Sequence, residues 1–368
     1  MSLKGRSRLY FKLSISSALL IAAGSAVVLS SSIGFAISQT GSPTYFFEKH
    51  IIWLLLGGIA MLLAGKLGVR NLDRRGFILF LISLGILLLP GRSRWFHIGT
   101  LSVQPSEFVK LTFIVFLAGY LAGRKHISTL RSVMIPAGFL FFITVVLQLQ
   151  SDLGTFVIIF CLFSLLLFLA GLPKRYLMTV ASAGVVIATV LILISPYRIN
   201  RVRIFLNPGL DPQGKGYQPL QSQFALASGG LFGKGIGVGG QKLKYLPEAH
   251  KDYVYAVIGE ETGLVGATAV LFLFGMLVFS GFEVGMRART PFEKYLACGI
   301  SGMFGFQFLL HASVVLSLVP SKGTTLPFFS VGGSALVTNL VALGILLEIA
   351  RNTCFLTPLE ELEEHVIH

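Results

Sequence analysis

Apolar residues in this chain neither alternate with polar ones nor scatter: they run in blocks of about twenty, separated by short segments rich in Lys, Arg, Gly and Pro. A helix rising about 1.5 Å per residue needs roughly twenty apolar residues to cross ~30 Å of hydrocarbon, so each block reads as a membrane span. The blocks fall at 11–38, 50–65, 77–90, 105–122, 133–150, 153–171, 176–195, 253–283, 295–319 and 330–350. They predict an all-α polytopic membrane protein of about ten transmembrane helices, with one large extracytoplasmic loop between helices 7 and 8. A single membrane domain covers 1–368: an N-terminal segment 1–10, helices 1–7 over 11–195, the loop 196–252, helices 8–10 over 253–350, and a tail 351–368. The first block follows a basic stretch, as the core of a signal peptide would. Its length and the lack of a small-residue cleavage site point to a retained span.

Composition agrees. Of 368 residues 54% are hydrophobic and 12% charged, too few charges for a soluble surface, which needs about 25%. The three cysteines, Cys161, Cys298 and Cys354, offer no paired framework and no CxxC spacing, so neither disulfides nor a structural zinc is expected.

The net charge of +14 would suggest a nucleic-acid partner if its basic residues were clustered. They are distributed by side instead. With the N-terminus cytoplasmic, the inside segments hold Lys4, Arg6, Arg8, Lys12, Lys66, Arg70, Arg74, Arg75, Arg124, Lys125, Arg131, Lys174, Arg175, Arg287, Arg289, Lys294 and Arg351. The short outside loops hold only Lys49, Arg92, Arg94 and Lys322. The positive-inside rule therefore places both termini in the cytoplasm, and no nucleic-acid partner is expected. The acidic tail, Glu360 to Glu364, reads as a solvated cytoplasmic end. The long outer loop departs from the rule: eight basic residues stand against Asp211, Glu248 and Asp252, an excess of five. An anionic ligand or lipid head group would explain that excess; a solvated basic loop is the plainer alternative.

Polar residues gather in four clusters, all on the outer side. In SGGLFGKGIGVGG, Gly235, Gly237 and Gly240 satisfy G-x-G-x-x-G, but no strand precedes them, so the dinucleotide fingerprint is spurious and turns are the default reading. Just before the eighth span stand Glu248, His250, Lys251 and Asp252. Asp252 could cap the following helix or, at the membrane boundary, act as a general base on a lipid-borne substrate. Glu260 and Glu261 lie further into the apolar span, where ionisable groups are costly. At 104–110, Glu107 and Lys110 form an i, i+3 pair behind Pro105, and Asp152 in the turn between two spans is placed to cap the next helix. Lys322 and Gly323 lie between Pro320 and Pro327, ahead of Gly332 and Gly333. Convergence of these clusters on one side suggests a single site.

The blocks QPSEFVKL (104–111), QSDLG (150–154), QSQFALASGGLFGKGIG (221–237), LPEAHKDYVYAVIGEETGLVG (246–266) and PSKGTTLPFFSVGGS (320–334), in this order and frame, resemble the SEDS family of shape, elongation, division and sporulation polymerases, which includes FtsW, RodA and SpoVE. The LPEAH and PSKGTTLP forms are closest to the division branch. Lys251, Ser151, Ser321 and Val331 stand where Thr, Pro, Thr and Tyr are usual, and none of these departures removes a charge.

The resemblance implies a peptidoglycan glycosyltransferase that polymerises lipid II on the outer face of the bacterial cytoplasmic membrane, at the division septum. It implies Asp252 as the catalytic carboxylate. Glu107, Lys110, Gln221, Ser222, His250 and Lys322 would bind substrate or its pyrophosphate or shape the cavity, with Asp152, Glu248, Glu260 and Glu261 as secondary or structural candidates. Partners implied are lipid II, a class B penicillin-binding transpeptidase of the FtsI type and other divisome membrane proteins. No cofactor is required; a divalent cation, Mg or Mn, could bridge Asp252 and pyrophosphate, though no ligand spacing demands one. The competing readings are a lipid II flippase and a RodA-type elongation polymerase.

Overall fold

The computed structural model describes residues 3–91, 93–98, 101–124, 127–214, 216–237 and 249–355. Glu248, Arg92, Lys125, Lys215, Lys242, Lys244, Gly239, Gly240 and the acidic tail lie outside them. The helices are α1 (Leu3–Thr40), α2 (Tyr45–Lys66), α3 (Val69–Leu88), α4 (Pro105–Ala122), α5 (Met134–Leu149), α6 (Leu153–Leu169), α7 (Lys174–Leu193), α8 (Pro196–Leu206), α9 (Tyr217–Gly229), α10 (Ala249–Asp252), α11 (Val254–Met286), α12 (Pro291–Val315) and α13 (Gly333–Phe355). Each of the ten apolar blocks falls on one of them, α1 to α7 and α11 to α13. Eight are long and apolar enough to cross a membrane. The other two are α6, with 17 residues, and α3, whose first turns carry Arg70, Asp73, Arg74 and Arg75.

Burial follows lipid rather than water. Large apolar side chains such as Phe272 and Phe279 lie on the outer surface, 70% and 77% exposed, whereas Glu107, Lys110, Gln307 and His311 are enclosed. Helices α4, α12 and α13 form the enclosed centre and α7 the periphery. Small residues let the central helices approach: Gly281 faces Ser301 across α11 and α12, and Gly333 and Gly344 seat α13 on Trp53 and Met61 of α2.

The fold is all-α as expected, with one small addition: β1 (Phe96–Ile98) and β2 (Leu101–Val103) form a short antiparallel hairpin leading into α4. The segment 196–252 is not a plain loop but carries α8, α9 and α10. Residues 1–10 do not stand apart from the first span, since α1 already begins at Leu3, and α13 runs on to Phe355, past the expected start of the tail.

The long helix α11 is interrupted at Gly263 (φ 67°, ψ −165°), a backbone conformation open essentially to glycine alone. The interruption frees backbone groups, and the glycine-rich segment after α9 takes them up. The N–H groups of Leu264 and Val265 donate to the carbonyls of Gly230 and Leu231 at 2.9 and 3.1 Å, and those of Lys234 and Gly235 donate to the carbonyls of Glu260 and Glu261, both at 3.0 Å. Gly233 (φ +80°) comes so close that an added Cβ would lie 2.1 Å from the Glu261 oxygen. The turn reading of the glycines therefore has a specific content: they let one backbone dock onto a break in another.

The same break repositions Glu260 and Glu261. From Gly263 to Met286 the helix already rises about 35 Å, enough by itself to span the hydrocarbon, and Glu260 and Glu261 stand on the other side of the break. Protein buries them: Lys234 Nζ is 3.1 Å from Glu260 Oε1, and the Ser30 hydroxyl donates to the Glu261 carboxylate at 2.7 Å.

Gly263→Ala and Gly233→Ala should each lower stability by about 1–3 kcal/mol, whereas Gly58→Ala, which has open space around its Cβ position, should not. Thermal melting of the three variants in detergent micelles checks this.

Candidate active site

Three connections meet at one end of the bundle. Pro105 starts α4 at the first helical position, directly after the hairpin. Asp152 caps α6: its Oδ1 accepts from Thr155 N at 3.2 Å, while Oδ2 accepts from Thr155 Oγ1 at 2.8 Å and Gln104 Nε2 at 3.2 Å. The capping role is therefore real, and the same carboxylate also ties α4 to α6. Gln104 N donates to Ser334 Oγ at 3.1 Å and so adds α13 to the junction.

The α12–α13 connection clamps α10. Ser330 Oγ donates to the Lys251 carbonyl at 2.6 Å, and Val331 N donates to the His250 carbonyl at 2.9 Å. The His250 ring packs against both Phe35 and Phe46, with centroids at 4.7 and 5.1 Å, in a cluster of three rings. Gly323 then passes so near Asp252 that a Cβ there would stand 3.0 Å from Oδ2. Asp252 is held from behind by these contacts while its carboxylate stays half-buried at a cavity wall.

Two cavities share that wall. One, about 280 Å³, is lined by Arg94, Gln104, Glu107, Lys110, Asp152, Thr155, Gln307 and Thr324. The other, about 350 Å³, is lined by Phe46, Lys49, His50, Trp53, Ser102 and Leu336. Trp95, Lys251, Asp252 and Thr325 belong to both. The first is a charged chamber and the second is largely aromatic and apolar. Glu107 and Lys110 pair at 2.9 Å with side chains 5% and 2% exposed, so the expected helical pair is a desolvated ion pair in the chamber wall.

Lys322 sits behind the chamber, with its stem against the α6 N-terminus at Gly154. Burial lowers its amine to about 7; Asp152 opposes the shift, and the neighbouring Arg198, Arg94 and Arg201 reinforce it. Those arginines are themselves fixed. Arg94 donates through Nε to the Gln150 carbonyl at 3.0 Å and through a second nitrogen to the Ser151 carbonyl. Arg198 donates to Gln148 Oε1 and to the Leu191 carbonyl, and Arg201 to the Ser321 carbonyl at 2.6 Å. Part of the positive excess in 196–252 thus has structural work: Arg198 and Arg201 hold backbone and Lys234 pairs with Glu260.

Of the sequence candidates, Asp252, Glu107, Lys110 and Asp152 come together at the chamber, with Lys322 adjoining. Ser222 does not: its hydroxyl donates to the Val315 carbonyl at 2.8 Å and anchors α9 to α12. Gln221, His250, Glu260 and Glu261 also lie off both cavities, the last two within the α11 break. Glu248 is outside the described residues. Sequence reasoning missed Arg94, Trp95, Thr155, Gln307 and Thr324 as chamber residues. Gln307 carried a legible signal, a lone carboxamide within FGFQFLLHA, where an apolar span makes it costly. Among the described residues no three His, Cys, Asp or Glu side chains group closely enough to hold a metal ion.

Comparison with known proteins agrees with the arrangement. The family model for FtsW, RodA and SpoVE, described as cell cycle protein, matches residues 11–354. A probable peptidoglycan glycosyltransferase FtsW of Thiomicrospira cyclica is 38% identical over 91% of this chain and 89% of its own length. Stage V sporulation protein E of Bacillus subtilis is 34% identical over 90% and 94% of the two chains. A solved structure concerned with structural coordination of polymerization and crosslinking by a peptidoglycan synthase complex superposes with a TM-score of 0.74 at 29% identity, covering 91% of this chain and 97% of that one. With nearly the whole chain matched and the motif blocks gathered at one end of a shared helical frame, this protein belongs to the FtsW/RodA/SpoVE family.

Proposed function

We propose that this chain is a peptidoglycan glycosyltransferase that polymerises lipid II at the outer face of the cytoplasmic membrane, during septal wall synthesis. The observation that carries the reading is the single carboxylate of Asp252 in the wall common to a charged chamber, lined by Arg94, Lys110 and Lys251 among others, and an aromatic one. Transfer between two lipid-linked sugars needs that arrangement: a donor whose diphosphate seeks cations, an acceptor whose sugar face packs on aromatic rings, and one base between them. Asp252 takes the proton of the acceptor 4-hydroxyl as its oxygen attacks C1 of the donor. The C1–O bond to diphosphate breaks, the electron pair leaves with undecaprenyl diphosphate, and attack from the opposite side turns an α-linked donor into a β-linked product. Arg94, Lys110, Lys251 and Lys322 supply positive charge for the leaving group. It departs without protonation, so a second acidic carboxylate is unnecessary.

Partner assignments follow the relatives. A class B penicillin-binding transpeptidase of the FtsI type would crosslink the strands made here, in line with a structural relative described as a complex that coordinates polymerization and crosslinking. The FtsW naming of the curated relative supports the septal setting over elongation.

Asp252→Ala should abolish glycan strand formation from labelled lipid II by the purified protein with its transpeptidase, with lipid II binding retained. Strands at the parental rate would remove Asp252 from the role of base. Wild type that makes no strands yet moves lipid II across liposomes would replace the polymerase with a transporter.

Lys322 gives a pH signature. Its amine titrates at about 7 in the free protein. A bound diphosphate favours the charged form and raises that value, so binding takes up a proton above pH 7. Affinity should be greatest below about pH 7 and fall, at most tenfold per unit, as pH rises toward the value in the complex. Titration with a diphosphate diester, whose phosphates stay ionised throughout this range, at several pH values should show this limb, and Lys322→Met should flatten it.

A further inference from the structure

Gln307 of α12 lines the charged chamber, is 1% exposed, and among the described residues neither its amide oxygen nor its amide nitrogen has a hydrogen-bond partner. A buried carboxamide left unsatisfied costs stability, and one in a cavity wall calls for an explanation. The neighbouring wall has the same character. One helical turn on, His311 Nδ1 donates to the Thr324 carbonyl at 2.7 Å and fixes that residue, which also lines the chamber and whose hydroxyl has no partner among the described residues. The chamber therefore carries two kinds of group: charged side chains suited to a diphosphate, and a neutral amide with a hydroxyl that a diphosphate does not call for.

We propose that Gln307 is a specificity-determining residue that reads the acetamido group on C2 of the diphosphate-linked sugar. This rests on the glycosyltransferase reading above. A carboxamide and an acetamide are complementary, each offering one carbonyl acceptor and N–H donation. The position is also consistent: C2 adjoins C1, so a sugar whose diphosphate meets Arg94 and Lys110 carries its acetamido group within the same enclosed space. A neutral reader is the appropriate one. A charged group there would compete for the diphosphate, whereas an amide rejects an analogue lacking the acetamide by being left unpaired.

The test compares two lipid-linked disaccharides, one natural and one whose diphosphate-linked sugar bears a hydroxyl in place of the acetamido group, with wild type, Gln307→Leu and Gln307→Met. Because neither polar atom of Gln307 has a partner among the described residues, both variants should melt no lower than wild type. Wild type should favour the natural substrate. In the variants kcat/KM for that substrate should fall roughly tenfold to hundredfold while the hydroxyl analogue changes little, so the preference collapses. A retained preference, or an equal loss on both substrates, would overturn the role of Gln307. Wild type that makes no strands from either substrate would instead overturn the glycosyltransferase reading, and the proposal with it.

Discussion

Neither lipid nor a packed helix interior can solvate an ion, and this constraint organises the charged end of the bundle. Glu107 and Lys110 neutralise each other at 2.9 Å inside α4, almost without solvent contact. An enclosed pair of this kind gains little net stability over apolar side chains, so its presence points to chemistry rather than to folding. The neighbouring charges follow the same rule. Asp152 is satisfied by Thr155 and Gln104, Arg94 by the carbonyls at the end of α5, and Lys322 responds to its crowded, cationic setting with a lowered pKa. Asp152 and Arg94 are each fixed by these bonds and also line the chamber, with Lys322 adjoining. A leaving diphosphate would complete the charge balance.

Holding Asp252 at this chamber requires the backbone to be held from outside the site. The α12–α13 connection does so through Ser330 and Val331, and the aromatic side chains Phe35 and Phe46 grip the His250 ring. Farther along α11, the break at Gly263 and the docked glycine segment lock α9 to the same helix. His250, Glu260, Glu261 and Ser222 serve this scaffold, not the chamber itself. The separation is useful physically, since a base must be placed to within fractions of an ångström, and rigid supports achieve that better than a mobile loop.

The helical frame was legible because lipid imposes a crude and regular demand: blocks of about twenty apolar residues must become helices, and all ten blocks did. Asp252, Glu107, Lys110 and Asp152 were legible because charge near an apolar span is costly and therefore conspicuous. Other features depended on contacts that no local pattern encodes. The eight basic residues of 196–252 looked like one anion-binding field, yet Arg198 and Arg201 bond to distant carbonyls and Lys234 to Glu260. The break beside Glu260 and Glu261 was not legible, because hydropathy runs unbroken through Gly263, where the helix does not. Likewise, the chamber role of Arg94 and Thr155 arises only when α4, α6 and the hairpin meet.

The central claim is that the sugar portion of a lipid-linked substrate enters the space beside Asp252 from the charged end of the bundle. A photoreactive amino acid at Trp95, which lines both cavities, tests this against the same residue at Phe272, which faces outward on α11. With lipid II in membranes, irradiation followed by mass spectrometry should find the disaccharide joined to position 95 and absent from position 272. Capture of the disaccharide at 272, or none at 95, would contradict the account.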